Sequence, residues 1–180
     1  MHDVIKRQWA VAKANKDFIC VDTCSGYRSS NLDLKGVQHL TQHNVSDSEL
    51  GVMLLDALAH SRFVLPPRSG RDIWVHPEVT YDAELYDFDR SLENYNQWVS
   101  DLMLSQGYKT KRTLFKGMKS CSIECCQGVI TISPSFHEKA EAWSGRAIEK
   151  SDYVVLAANS PEADIGAALR LAFSRCKGSK

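Results

Sequence analysis

The sequence predicts a mixed α/β (α+β) fold in a single domain spanning residues 1–180. The expected sheet is mixed or antiparallel, with a hairpin in the C-terminal half and about three packing helices. Three observations carry this. The 180 residues are 43% hydrophobic and 24% charged, so one core can form without disulfide or metal staples. Helical periodicity recurs near 46–62, 91–105 and 161–176. A hairpin pattern at 120–133 and an apolar run at 153–157 supply strands between the later helices.

Each element has a local cause. Phe18-Ile19-Cys20-Val21 is rich in strand formers and follows a turn at Asn15-Lys16. In the first helix, Ser46 and Glu49 make a capping box, and Leu50, Met53, Leu54, Ala57 and Leu58 follow at helical spacing. Phe63 to Leu65 and then Pro66-Pro67 end it. The stretch 64–90 carries three of the five prolines and no clear period, which predicts a long, partly irregular connection. The second helix is expected over Ser91 to Ser105, burying Leu92, Tyr95, Trp98, Val99 and Leu102 and stopping at Gly107. Ser120 to Cys126, the turn Gln127-Gly128 and Val129 to Ser133 read as a hairpin, with Ile130 and Ile132 alternating with Thr131. Tyr153-Val154-Val155-Leu156 is continuous and apolar, the pattern of a central strand. For the third helix Ser160 is the expected N-cap, Pro161 the first helical residue and Lys177-Gly178 the end.

One internal similarity stands out. Glu49-Leu50-Gly51 through Ala57-Leu58 aligns with Asp164-Ile165-Gly166 through Ala172-Phe173. Either a duplicated strand–helix unit or two separately evolved capped helices produces such a match, and the second is the simpler reading.

Catalytic and metal signatures are weak. Cys121, Cys125 and Cys126 have C-x3-C-C spacing on an alternating strand, so Cys126 faces away from the other two. They read as buried thiols, as do Cys20, Cys24 and Cys176. His39 and His43 would share one face of a weak helix, with no thiol or carboxylate close in sequence. A pairing of Cys20 or Cys24 with His60 or His137 has no nucleophile turn to support it. No phosphate loop, G-x-S-x-G or H-E-x-x-H occurs. The expectation is a protein that is not an enzyme, with no catalytic residues, metal or cofactor.

Charge is more informative. Lys and Arg total 22, as do Asp and Glu, which disfavours a protein that coats nucleic acid or membrane indiscriminately. The balance is uneven along the chain. Residues 78–93 carry Glu78, Asp82, Glu84, Asp87, Asp89 and Glu93 against Arg90 alone, with Tyr81, Tyr86 and Phe88 interleaved. Such a surface suits a basic, grooved protein partner, since aromatics anchor and acids steer. The candidate contacts are Asp82, Glu84, Tyr86, Asp87, Phe88 and Asp89. The alternative is a solvated loop with its aromatics turned inward. Lys109, Lys111, Arg112, Lys116 and Lys119 form the opposing basic run, which would serve an RNA-associated protein. No apolar run approaches the length of a membrane span, and the N-terminal residues lack a signal-type apolar stretch, so a cytosolic location is expected.

Residues 107–145, GYKTKRTLFKGMKSCSIECCQGVITISPSFHEKAEAWSG, with DYVVLAA and IGAALRLAFSRC downstream, resemble the immunity proteins (CdiI) of contact-dependent growth inhibition. FICVDTCSGYR and ELGVMLLDALAHSRF extend the likeness upstream. It implies one immunity-protein domain in the cytosol that binds the C-terminal toxin domain of a cell-surface effector and neutralises it by stoichiometric occlusion. Several such toxins are nucleases of the ribonuclease or tRNase type, and a phosphate-binding groove must be cationic. The acidic segment would complement it, with no membrane and no direct nucleic acid contact expected. The resemblance places no toxin contact on any particular residue.

Overall fold

The computed structural model describes residues 4–67 and 74–178. The N-terminal half contains strands β1 (Gln8–Ala14), β2 (Phe18–Gly26), β3 (Ser30–Leu32) and β4 (Gln38–Gln42), then helix α1 (Asp47–Ala59). Two short strands, β5 (Val64–Leu65) and β6 (Thr80–Tyr81), lead through a single 3₁₀ turn at Glu84–Tyr86 into α2 (Phe88–Gln106) and α3 (Lys111–Phe115). Strands β7 (Lys119–Cys126), β8 (Val129–Pro134), β9 (Phe136–Lys139), β10 (Ala142–Ser144) and β11 (Val154–Ala157) follow. Helix α4 (Glu162–Arg175) and strand β12 (Lys177–Gly178) come last.

The main sheet has seven strands in the order β11-β8-β7-β1-β2-β3, with β4 also pairing β2, and every pairing in it is antiparallel. Parallel pairing occurs in the two small sheets, β5 with β6 and β9 with β12, and at an isolated bridge between Gly26 and Phe63. The mixed α+β class is therefore as predicted. The 120–133 hairpin forms on a turn whose two residues both have positive φ, Gln127 at 49° and Gly128 at 76°, the twist a two-residue hairpin requires.

Side chains alternate across the sheet, which divides it into two unlike faces. Ala10, Ala12, Ile19, Val21, Cys121, Ile123, Ile130 and Ile132 point to one face, and α1 and α4 cover it with Leu50, Leu54, Ala57, Ile165, Leu169 and Ala172. The two helices cross at their glycines. A Cβ on Gly51 would lie 1.9 Å from the Glu162 carbonyl oxygen, and one on Gly166 would lie 1.9 Å from that of Asp47. Each glycine thus admits the first turn of the opposite helix, and Arg170 Nε closes the crossing on Asp47 Oδ1 at 2.7 Å. This reciprocal contact gives the acid–aliphatic–glycine repeat a packing cause.

On the other face Phe18 and Cys20 meet Val99 and Leu102 of α2 and Leu114, Phe115 and Met118 from α3 and the loop behind it. Beyond that patch the face turns polar. Val11 pairs in register with Asp22 and Ser122, and Lys13 with Cys20 and Ser120.

Several boundaries differ from the sequence reading. Helix α1 keeps its Ser46–Glu49 capping box but stops at Ala59, because Ser61 and Arg62 leave to bind β2: Ser61 Oγ donates to the Cys24 carbonyl and the Arg62 amide donates to Ser25 Oγ. Helix α2 starts at Phe88 rather than Ser91, since Asp87 caps it by accepting from the Arg90 amide. It ends as predicted on Gly107, at φ 72°. Pro161, not Ser160, is the N-cap of α4, its ψ of 142° being still extended. The 153–157 run is an edge strand, not a central one; it pairs only β8 in the main sheet, and Val155 is 61% exposed. His39 lies in strand β4, not a helix, and accompanies Asp56 at 2.7 Å. The connection over 64–90 is irregular as expected, with residues 68–73 outside the described set.

Candidate functional site

The acidic–aromatic segment is fixed to the sheet by an ionic network whose two central carboxylates, Asp33 and Asp82, are buried. Arg62, just past α1, grips Asp33 with two bonds, Nε to Oδ2 at 2.7 Å and Nη2 to Oδ1 at 2.9 Å. Ser25 Oγ donates to the same carboxylate at 2.6 Å, and the Lys35 amide at 3.0 Å. Burial pushes Asp33 up, but Arg62, Ser25 and the Lys35 amide together hold it below the ordinary carboxylate range. The third arm of Arg62, Nη1, reaches Asp82 Oδ2 at 2.9 Å, where Lys35 Nζ also donates at 2.8 Å. Lys35 chiefly, with Arg62 and the Glu84 amide, holds Asp82 at about 2 against its burial.

From Asp82 the chain of charge runs outward. Lys35 Nζ lies 3.4 Å from Glu84 Oε2, and Glu84 Oε1 lies 3.2 Å from Arg90 Nη1. A cleft of about 320 Å³ opens beside the network, lined by Leu32, Leu34, Arg62, Asp82, Leu85 and Asn94 among others.

The six candidate contacts separate into two sets. Asp82 and Tyr86 turn inward, Asp82 into the network and Tyr86 with its hydroxyl on the Val64 carbonyl at 2.7 Å. Glu84, Asp87, Phe88 and Asp89 are exposed. Phe88, at 78% exposure, stands at the first turn of α2 between Asp87 and Asp89, with Leu92 one turn on and also exposed. Acidic groups suit that end of the helix, where unpaired amides carry partial positive charge. The result is an exposed apolar side chain between two carboxylates in sequence, at a capped helix N-terminus.

The network was missed from the sequence because its members are 20 and 29 residues apart, with no local pattern to join them. The inward turn of Asp82 had one trace: Asp82-x-Glu84 forms a local turn in which Asp82 Oδ1 accepts from the Glu84 amide.

The basic run is arranged around α3, with Lys109, Lys111, Arg112, Lys116 and Lys119 all exposed and Lys111 paired to Glu141 at 3.3 Å. Cys20 and Cys24, the thiols that a Cys–His pair would use, are buried. Burial pushes Cys20 and Cys24 up to about 12, and Cys20 Sγ donates to the Lys13 carbonyl. His60 Nδ1 pairs with the Asp56 carbonyl, and His137 stacks on Trp143. Cys121 and Cys176 lie with their sulfurs 3.7 Å apart; Cys121 is raised, and Cys176 is lowered to about 7 first by that contact. Among the described residues no group of three or more His, Cys, Asp or Glu is placed to hold a metal ion. No helix among them is long and apolar enough to cross a membrane.

Comparison with known proteins finds similarity over nearly the whole chain. The family model described as CdiI, CDI immunity protein, matches residues 8–176. A curated relative, immunity protein CdiI-YPIII of Yersinia pseudotuberculosis serotype O:3 (strain YPIII), is 59% identical over 179 residues, covering 99% of this chain and all of the relative. The fold is similar, at a TM-score of 0.92 and 59% identity, to a chain of the CdiA-CT/CdiI toxin and immunity complex from Yersinia pseudotuberculosis; 97% of this chain and 100% of that one are covered. A protein of unknown function from Neisseria meningitidis, NMB0488, matches at a TM-score of 0.79 and 33% identity, covering 98% and 99%. The chain belongs to the CDI immunity protein family, that of contact-dependent growth inhibition.

Proposed function

We propose that this protein binds and neutralises the toxin domain of a contact-dependent growth inhibition effector, in the cytosol, by one-to-one occlusion. The observation that carries the reading is its 59% identity, across 97% of the chain, to a protein solved in a toxin and immunity complex. One immunity-protein domain over residues 1–180 accords with a family match that runs from 8 to 176.

The docking surface we favour is the end of α2 with the turn before it. Glu84, Asp87 and Asp89 oppose cationic toxin groups, and Phe88 supplies the apolar anchor. Asp82 and Tyr86 serve this surface from beneath, by fixing its backbone. An acidic site of this kind suits a toxin with a phosphate-binding groove, a nuclease of the ribonuclease or tRNase type. The protein acts as a binder rather than an enzyme in this reading.

Because Asp87 caps α2, replacing it costs helix stability as well as charge. The cleaner test is Phe88→Ala with Asp89→Lys. Cells producing the cognate toxin domain should grow with the wild-type chain and fail with the double variant at equal abundance. Undiminished growth with the variant would move the docking surface elsewhere.

A further inference from the structure

The polar face of the sheet holds a second cleft. It lies between strands β2 and β4 and helix α2, measures about 190 Å³, and is lined by Asp22, Gln38, His39, Leu40, Trp98 and Asp101 among others. Asp22 is 4% exposed, and its Oδ1 is buried without a hydrogen-bond partner among the described residues. A carboxylate in that position is costly unless a cation or donor meets it.

The chain's own cations, Lys13 and His39, offset that charge through space, and among the described residues none bonds to Oδ1. No lysine or arginine lines the cleft. His39 directs Nε2 to Asp56 Oδ2 at 2.7 Å. Lys13 holds its ammonium over the Trp143 ring, 5.5 Å from the centroid. Asp101, on α2, adds a second carboxylate and accepts from Gln97 Nε2 at 2.8 Å. Trp98, also on α2, adds an indole.

We propose that this cleft is a receptor for a primary alkylammonium group, held by Asp22 with Asp101 and Trp98. A compact charge with three N–H donors fits a narrow cleft beside one carboxylate, whereas the broad planar guanidinium is suited to bidentate pairing. An indole face stabilises the same charge. The group is carried either by a free short-chain amine or by a lysine side chain of a bound protein, and the chemistry of the site is the same for both.

The test uses the intact protein and n-butylammonium chloride at pH 8. Chemical shifts of the Trp98 indole N–H, assigned with Trp98→Phe, are followed against sodium chloride at matched ionic strength. Saturable binding is expected, about tenfold or more weaker in Asp22→Asn and for tetramethylammonium, which has no N–H to donate. Asp22→Asn should melt no lower than wild type, since it removes a buried charge that is only partly compensated. A response equal to that with sodium chloride, binding unchanged in Asp22→Asn, or a clear loss of stability in that variant would each overturn the assignment. Repeating the titration with the cognate toxin domain bound separates the two carriers: expulsion of butylammonium assigns the site to a toxin lysine, and retention assigns it to a free amine. The first arm needs no toxin, so its outcome is independent of the proposed function.

Discussion

The two faces of the main sheet are built on opposite terms. Under α1 and α4 the inward residues are apolar apart from Thr23, whose hydroxyl donates to the Ala57 carbonyl, and the helices approach until Gly51 and Gly166 touch the opposing backbone. The other face packs α2 and α3 over one apolar patch, and beyond it mixes Trp9, Val11 and Cys24 with Lys13, Asp22, Ser120 and Ser122. The first face holds the fold together; the second leaves polar chemistry available. The network of Arg62, Asp33 and Asp82 lies at the end of the sheet, where it anchors the segment that leads to Phe88.

Gly51→Val should have the largest effect. Its Cβ meets a carbonyl oxygen at 1.9 Å, and helix backbone cannot yield as a flexible side chain would. A loss of at least about 3 kcal/mol is expected, read as a fall in denaturant midpoint at constant m-value. A stability change under about 1 kcal/mol would show that the helix pair is looser than this contact requires.

Arg62→Ala should rank next. It leaves Asp33, with a side chain only 2% exposed, without its main counter-charge, while Arg62 itself is 31% exposed. Discounting for that exposure, a loss of about 2–3 kcal/mol is expected. The pH dependence follows from the depressed carboxylates. Asp82 at about 2, against an ordinary value near 4, contributes stability that is fully present above about pH 4 and is lost as pH falls toward 2. Arg62→Ala should flatten that acid limb, measured by thermal melts across the range.

Asp22 should show the reverse sign. Burial raises it to about 6, partly countered by Lys13 and His39. A carboxyl raised in the folded state destabilises the fold as pH climbs from about 4 to 6, by roughly 3 kcal/mol at most. Asp22→Asn should abolish that decline; an unchanged slope would mean the group is not the one titrating. The smallest effect is expected at Phe88, whose replacement by Ala should shift stability by under about 0.5 kcal/mol because it is 78% exposed. A larger loss would make Phe88 structural and weaken its role as a docking anchor.

Legibility in the sequence follows the range of the interactions. The capping box at Ser46, the Gln127-Gly128 turn and the stop at Gly107 were readable because their partners lie within four residues. The repeat shared by α1 and α4 was visible, but its cause was not, since it depends on Glu162 meeting Gly51 across the fold. Tyr153 to Leu156 misled because a continuous apolar run reports burial of a strand only on average, and here Val154 and Leu156 face the core while Val155 faces out. At the candidate site, composition marked the acidic–aromatic segment, yet it could not sort Asp82 and Tyr86 from Glu84, Asp87, Phe88 and Asp89. That sorting is made by Arg62, Lys35 and the Val64 carbonyl, all remote in sequence. Asp22 gave no signal at all, because one acid in a strand-forming run is unremarkable until its neighbours are placed.

The most direct test is a calorimetric titration of the cognate toxin domain into the wild-type chain and into the Phe88→Ala, Asp89→Lys variant. One-to-one saturation is expected for the wild type, with affinity at least about 100-fold weaker for the variant, as loss of a central anchor plus a charge reversal implies. Equal affinity of the two proteins would contradict docking at the α2 end, and no binding by the wild type would contradict neutralisation by direct occlusion.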